Sequence, residues 1–164
     1  MLHLKTFLTA TAGLSLSAPA TGKLVPMKKL VDPTFSTGVL GPCVGIEPED
    51  GLIVAPCTSV ITQIFNTGHA ITLTSAEGAD ILIHLGIGTV ALRGQGFQVH
   101  ALGVNPVPAG TPLVTCDLDL IRKAGFSPVI VTVLCNALDF KRVRITNAPT
   151  VRRGDPLMSM RPKR

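Results

Sequence analysis

The sequence predicts an all-β protein, an antiparallel β-sandwich or barrel with one or two short helical turns. Its apolar runs are short and bounded by turn residues, with 16 Gly and 13 Pro in 164 residues. The strongest strand candidate, Ser127–Asn136, is β-branched and continuous, which is typical of a strand buried on both faces. The helical candidate is Asp117–Ala124, which opens with acidic residues and ends with basic ones before Gly125. Many short strands with so little helix favour a sandwich or barrel.

The stretch 79–90, A-D-I-L-I-H-L-G-I-G-T-V, is an apolar run with His84 at its centre. It predicts a second strand buried on both faces, which Gly86 and Gly88 should end. The Gly86 carbonyl could accept Nδ1–H of His84 and so leave Nε2 free as a nucleophile. A core or rim histidine without a chemical role is the competing interpretation of His84 alone.

A second histidine, His69, lies 84 − 69 = 15 residues upstream and begins its own alternating strand. The intervening S-A-E-G-A-D predicts a turn around Gly78, and therefore a β-hairpin. Residues that enter the first strand and leave the second are neighbours across a ladder. We therefore expect His69 and His84 to face each other at the open end of the hairpin.

Two weak internal similarities run through the chain. Ser17–Met27 and Val54–Ile64 both place Ala-Pro before a polar turn and an alternating strand. Val107–Val114 and Val151–Met158 both place a Gly turn and then x-Pro-Leu ahead of a strand. The similarities predict one β-unit used twice and packed face to face.

Length and composition indicate one domain with a real core, since 46% of the residues are hydrophobic. The sequence has no 18-residue apolar run, so we expect no transmembrane helix. The net charge is +5, and basic residues crowd the last quarter, namely Lys141, Arg142, Arg144, Arg152, Arg153, Arg161, Lys163 and Arg164. Without aromatic residues between them for base stacking, they favour a solvated edge and tail over a nucleic-acid or lipid surface.

The four cysteines, Cys43, Cys57, Cys116 and Cys135, have no metal-binding or disulfide spacing. Each is expected to be a small buried apolar residue, as suits a reducing cytoplasm. Residues 1–16 are expected to form a mobile N-terminal arm, with a signal peptide as the alternative. The domain is expected to span residues 17–160, followed by a basic tail at 161–164.

The segments N-T-G-H-A-I-T-L and I-L-I-H-L-G-I-G-T-V-A-L-R-G-Q-G-F resemble the signature of the glucose-family enzyme IIA domain. That type-1 EIIA domain belongs to the bacterial phosphoenolpyruvate-dependent sugar phosphotransferase system. The resemblance runs from about Ser17 to the C-terminus. It implies a compact barrel-sandwich hybrid, the duplicated hybrid motif, with its histidines in a shallow depression on one face.

The resemblance also implies a phosphotransferase component that carries a phosphoryl group during sugar uptake. His84 matches the phosphohistidine, His69 its support histidine and Thr67 a threonine of the hydrogen-bond network, with Gly86 orienting His84. The implied donor is the histidine-containing phosphocarrier protein, and the acceptor is a cysteine of a IIB domain. The implied location is cytoplasmic, with no nucleic acid, contact with a membrane only through the permease, and no obligatory cofactor.

Partners of this family dock on apolar surface around the histidine. Candidates here are Val39, Leu40, Val44, Ile46, Phe65, Ile71, Leu85 and Val90. The sequence departs from the family where Gly-Asp-Gly is usual and Gly41-Pro42-Cys43 stands, and where Asp is usual and Gly88 stands. The second change removes an acidic residue that pairs with an Arg of the donor, while Asp32 remains at another acidic position of the rim.

Other functions remain open at this point. One is a non-enzymatic regulator whose partners recognise its phosphorylation state. A second is a zinc hydrolase of the lysostaphin type, which would need a third ligand and a base. A third, a lipoyl- or biotinyl-type carrier, would need a lysine at a hairpin tip. His69 and His84 could also bind Zn²⁺ together with ligands from a partner. His3 and His100 are assigned no role.

Overall fold

The computed structural model describes residues 13–103 and 105–163, which form thirteen strands in three antiparallel sheets with two short α-helices. The strands are β1 (Leu14–Ser17), β2 (Gly22–Pro26), β3 (Cys43–Pro48), β4 (Leu52–Val54), β5 (Ser59–Ile64), β6 (Ala70–Ser75), β7 (Asp80–Ile87), β8 (Phe97–Val99), β9 (Pro112–Cys116), β10 (Ser127–Leu134), β11 (Phe140–Ile145), β12 (Thr150–Val151) and β13 (Pro156–Pro162). The helices are α1 (Pro33–Ser36) and α2 (Leu118–Lys123), and single 3₁₀ turns lie at Met27–Lys29, Thr89–Leu92 and Ala137–Asp139. The predicted all-β sandwich with short helical turns is confirmed.

The largest sheet has seven strands in the order β12-β2-β3-β10-β7-β6-β5. Two three-stranded sheets, β1-β13-β11 and β4-β9-β8, complete the sandwich. The hairpin predicted around Gly78 is β6–β7, in which Ile71 pairs with Ile83 and Leu73 with Ile81. The predicted strand Ser127–Asn136 is β10, which lies between β3 and β7 and is buried on both faces.

The internal repeats correspond to two equivalent halves of the sandwich. The residue before each Ala-Pro pair hydrogen-bonds the proline of the other pair. Ser17 N–H donates to the Pro56 carbonyl at 2.8 Å, and Val54 N–H donates to the Pro19 carbonyl at 2.9 Å. Each Pro-Leu strand is the central strand of its three-stranded sheet, β13 in one half and β9 in the other. The prediction of one β-unit used twice is therefore confirmed.

The main core lies between the sheets, and a second apolar cluster covers the outer face of the seven-stranded sheet. Ile81, Ile83 and Leu85 of β7 point into the main core and are each 1% exposed. The second cluster comprises Leu30, Phe35, Cys43, Val129, Val131 and Val133. Because side chains alternate along a strand, His84 lies on the outer face, beside this second cluster.

Three local predictions are wrong. The sandwich begins at Leu14, the first residue of β1, and not at the expected residue 17. At the other end, β13 continues to Pro162, which lies within the tail expected at 161–164. The strand β7 continues through Gly86 to Ile87, and only one of its faces is fully buried. Cys135 is exposed rather than buried. For the strand bounds the cause is tertiary, because pairing with a neighbouring strand extends an element beyond its local pattern.

The α-helix prediction is confirmed, with Asp117 as the N-cap of α2 and Ala124 as its C-cap. Residues 1–12 of the arm expected at 1–16 lie outside the described residues, and with them His3 and most of the alternative signal peptide. Among the helices that the structure describes, none is long and apolar enough to cross a membrane.

Candidate functional site

The two histidines meet where the β6–β7 hairpin opens. His84 pairs with Ala70 across the ladder, and Leu85 N–H donates to the His69 carbonyl at 2.7 Å. The ring centroids of His69 and His84 are 5.2 Å apart, with 76° between the ring planes. The expected facing of the two histidines is confirmed by this geometry.

The His84 ring is oriented by the backbone of its own strand. Its Nδ1 lies 2.6 Å from the Gly86 carbonyl oxygen. A carbonyl oxygen only accepts, so Nδ1 carries the hydrogen and Nε2 of the neutral ring holds a lone pair. Gly86 reaches this carbonyl position with φ +76, a left-handed conformation that glycine adopts without strain.

The His69 ring is held by Thr67, whose Oγ1 hydrogen-bonds His69 Nδ1. The His69 residue is 7% exposed, whereas His84 is half-buried. Among the described residues, Thr132 Oγ1 is the one buried side-chain nitrogen or oxygen without a partner. The Nε2 atoms of His69 and His84 also have no hydrogen-bond partner among the described residues, yet they are not among the buried atoms. Both Nε2 atoms are therefore accessible to solvent.

Aromatic rings enclose the pair on two sides. Phe35 contacts His84 edge-on with centroids 5.1 Å apart, and Phe65 contacts His69 in the same way at 5.5 Å. Phe35 is supplied by α1, whose N-cap Asp32 accepts from Thr34 N–H at 2.8 Å. Sequence reasoning missed this helix and Phe35, although an Asp cap followed by Pro33 at the first helical position was a readable signal.

Burial lowers the pKa of both imidazoles. For His84, burial outweighs the Gly86 carbonyl and the Asp32 carboxylate, which both raise the pKa. For His69, burial acts together with the neighbouring His84. Both rings are therefore neutral at pH 7, which keeps the Nε2 lone pair of His84 available.

The departures from the family pattern lie beside this site. Cys43 is buried under Phe35, with Sγ donating to the Phe35 carbonyl at 3.5 Å, and burial raises the pKa of its thiol to about 11. Gly88 has φ +80, and a Cβ there would come within 2.9 Å of the Phe126 ring. In this chain, Phe126 thus packs where a side chain at position 88 would begin.

The predicted docking residues divide into two groups. Val39, Leu40 and Val90 are exposed, at 75%, 38% and 56%, and Phe65 is half-buried beside His69. Four others were wrongly predicted as surface, because they face the main core; these are Val44, Ile46, Ile71 and Leu85.

The described residues contain no group of three or more His, Cys, Asp or Glu side chains placed to hold a metal ion. His69 and His84 are thus the two metal ligands this site offers, and the third ligand that a lysostaphin-type hydrolase needs is not found beside them among the described residues. His100 lies apart from the pair, and its Nε2 hydrogen-bonds Thr115 Oγ1 at 2.6 Å.

Residues 14–140 of this chain match the family described as phosphoenolpyruvate-dependent sugar phosphotransferase system, EIIA 1. The solved glucose permease IIA from Mycoplasma capricolum is similar, with TM-score 0.79 and 28% identity, over 90% of this chain and 96% of that one.

Curated relatives agree with this match. The PTS system glucose-specific EIIA component of Bacillus anthracis is 34% identical over 85% of both chains. The PTS system beta-glucoside-specific EIIBCA component of Bacillus subtilis (strain 168) is 44% identical over 71% of this chain, which spans only 20% of that relative's length. The chain belongs to the EIIA 1 family of the sugar phosphotransferase system, a family of phosphocarriers in sugar uptake.

Proposed function

We propose that His84 accepts a phosphoryl group from the histidine-containing phosphocarrier protein and passes it to a cysteine of a IIB domain. The observation that carries the proposal is the bond from His84 Nδ1 to the Gly86 carbonyl, which leaves Nε2 with a lone pair. Phosphoryl transfer depends mainly on positioning and on charge stabilisation, so an oriented, neutral imidazole is sufficient as the acceptor.

In the first step, the His84 Nε2 lone pair attacks phosphorus. The new N–P bond forms as the N–P bond of the donor breaks, and that electron pair returns to the donor imidazole. In the second step, the thiolate of the IIB cysteine attacks the same phosphorus. The His84 N–P bond then breaks, and Nε2 regains its lone pair.

His69 has the role of a donor to the phosphoryl oxygens. When the Thr67 hydroxyl donates to His69 Nδ1, the His69 proton must lie on Nε2. That N–H lies on the ring that faces His84, and it can stabilise the charge that builds up on the phosphoryl group. Thr67 thus acts as a positioning residue for His69.

The first step is tested by incubating the chain with phosphoenolpyruvate, enzyme I and the histidine-containing phosphocarrier. We expect one acid-labile, base-stable phosphoryl group per chain, detected by intact mass. His84→Ala should abolish it, and His100→Ala, which removes an exposed histidine outside the site, should not. Labelling of His84→Ala at the wild-type level would refute the assignment.

The second step is tested by adding a purified IIB domain to the labelled chain. His69→Ala should still accept phosphate but transfer it slowly, and normal onward transfer would contradict the support role. If the wild type were labelled but passed its phosphate to no IIB domain, the regulatory docking function would be favoured instead.

The cellular setting follows from the same proposal. The described chain holds its four cysteines free, which supports a reducing cytoplasm. Contact with a membrane would then come only through the permease that carries the IIB domain. No obligatory cofactor is needed for either step.

We also propose that the two Nε2 atoms can supply two of four Zn²⁺ ligands at a contact with a partner that provides the others. The two ring centroids lie 5.2 Å apart. As a zinc ligand His69 takes the tautomer in which Nδ1–H donates to Thr67 Oγ1, which leaves its Nε2 with a lone pair. Zn²⁺ should tighten a partner complex of the wild type but not of His69→Ala. An equal effect on both would contradict the proposal.

A further inference from the structure

Three arginines line one cavity on the solvent face of the β1-β13-β11 sheet. The cavity has a volume of about 330 Å³, and its walls include Arg142, Arg144, Arg161, Ser15 and Ser159. The other face of this sheet packs into the main core through Leu14, Leu16, Phe140, Met158 and Met160. Because His84 lies on the outer face of the opposing sheet, the arginine cavity and the histidine pair occupy opposite sides of the sandwich.

Strand register brings these polar side chains together. Ser159 of β13 pairs with Ser15 on one side and with Arg144 on the other, so the three form a row across the sheet. Arg161 lies two residues beyond Ser159, and side chains two residues apart on a strand share a face. The cavity therefore combines guanidinium groups with two hydroxyl groups that can also donate hydrogen bonds.

The backbone is strained at the edge of the cavity. The pairing of β11 with β13 is irregular between Lys141 and Arg144, and Arg142 within that bulge has φ +55. A left-handed conformation is unfavourable for a residue that carries a Cβ atom. Bulges of this kind redirect side chains, and here the bulge carries one of the three cavity arginines.

No acidic side chain neutralises the three arginines within the described part of the chain. The ion pairs found there involve Arg122 with Glu47 and Asp119, and Arg153 with Asp50. Like charges held close together repel one another, and an anion between them would remove that cost. The three arginines are exposed, as the solvated edge favoured by the sequence requires, and the cavity between them is the feature that the sequence did not predict.

We propose that this cavity binds a soluble anion made of two linked phosphate groups. Guanidinium groups bind phosphate oxygens through paired hydrogen bonds, and three of them balance the roughly three negative charges that two linked phosphates carry. The volume suits a small ligand rather than a single phosphate ion. The polar lining side chains are exposed, so a free anion can enter the cavity directly from solvent.

The test is calorimetric titration of the full chain with inorganic pyrophosphate, inorganic phosphate and phosphatidylglycerol vesicles. We expect one pyrophosphate per chain, phosphate binding at least tenfold weaker, and affinity that falls with added salt. The double variant Arg144→Gln/Arg161→Gln should weaken pyrophosphate binding at least tenfold. Arg152→Gln, an exposed arginine outside the cavity, is the matched control and should bind as wild type.

Arg142→Gly separates binding from folding. Glycine accepts the left-handed conformation, so the melting temperature should be unchanged or higher while pyrophosphate binding weakens severalfold. Three results would overturn the proposal: no binding of pyrophosphate, an equal loss in Arg152→Gln, or binding to vesicles alone. Phosphorylation of His84 is measured separately and should be unaffected by all of these variants.

Discussion

Gly86→Ala is the substitution that probes the site most directly, because Gly86 supplies the carbonyl that orients His84. A Cβ at this position would lie 2.4 Å from Thr89 Cγ2 and 2.8 Å from the Ser127 carbonyl oxygen. Thr89 is fully buried and donates to the Leu85 carbonyl at 2.6 Å, so it cannot turn away freely. The strand must therefore shift to accept the methyl group.

The matched control is Gly78→Ala in the turn of the same hairpin. Gly78 has φ +84, close to the +76 of Gly86, but a Cβ there would meet nothing within 4 Å. Both substitutions bring the left-handed strain of about 1–2 kcal/mol, offset by about 0.4–1 kcal/mol from the stiffer unfolded chain. Only Gly86→Ala adds overpacking, which costs about 1–3 kcal/mol.

We therefore expect Gly78→Ala to lower the free energy of unfolding by about 1 kcal/mol and Gly86→Ala by about 2–4 kcal/mol. Urea denaturation measures both. With a slope of roughly 2 kcal/mol per molar urea, the two midpoints should differ by about 1 M. Equal destabilisation of the two variants would refute the packing argument.

The same pair of variants tests the orienting role. Well below the unfolding temperature, Gly86→Ala should accept phosphate more slowly than wild type, because the displaced carbonyl no longer fixes His84 Nδ1–H. Gly78→Ala should accept phosphate at the wild-type rate. A wild-type rate in folded Gly86→Ala would show that the carbonyl does not orient the ring for the reaction.

The remaining predictions concern single groups. Thr132→Val should raise the free energy of unfolding by about 1 kcal/mol, because it removes a buried hydroxyl that has no hydrogen-bond partner. Thr89→Val should lower the free energy of unfolding by about 1–3 kcal/mol, because it removes the hydroxyl that donates to the Leu85 carbonyl. Calorimetry measures both changes. The pKa of His84 in the folded chain lies below its ordinary value of 6.5, so the unfolded chain takes up this proton first. The free energy of unfolding should therefore fall as the pH drops below 6.5. Asp32→Asn should lower the pKa of His84 further, as measured by NMR titration. A thiol reagent should label Cys135 alone in the folded chain, because the other three cysteines are buried. The reaction should be slow at neutral pH, because partial desolvation and the Asp80 carboxylate raise the pKa of the Cys135 thiol.

The sequence could predict elements whose pattern is local. The alternation in β6 and β7, the turn at Gly78 and the β-branched run of β10 led to the hairpin and to the meeting of His69 with His84. Phe35 could not be found by periodicity, since α1 has four residues, less than two helical turns. Its position against His84 depends on the fold of the whole chain.

Some errors were avoidable from strand geometry alone. Leu85 follows His84 directly on β7, so alternation puts the two side chains on opposite faces of the sheet. Ile71 pairs with Ile83, the residue before His84, and must therefore also face the core. The arginine cavity was beyond such reasoning, because the bulge at Arg142 and the register of β1 with β13 are set by tertiary pairing.

The position of His84 within the largest sheet explains why a single hydrogen bond can suffice to orient it. β7 is hydrogen-bonded on both sides, to β6 through Ala70 and to β10 through Val131, so the backbone that carries the ring is already fixed. Only the ring rotation and the tautomer remain free, and the Gly86 carbonyl sets both. A change in the main core such as Thr132→Val should therefore alter stability without altering phosphoryl acceptance, whereas a change at Gly86 should alter both.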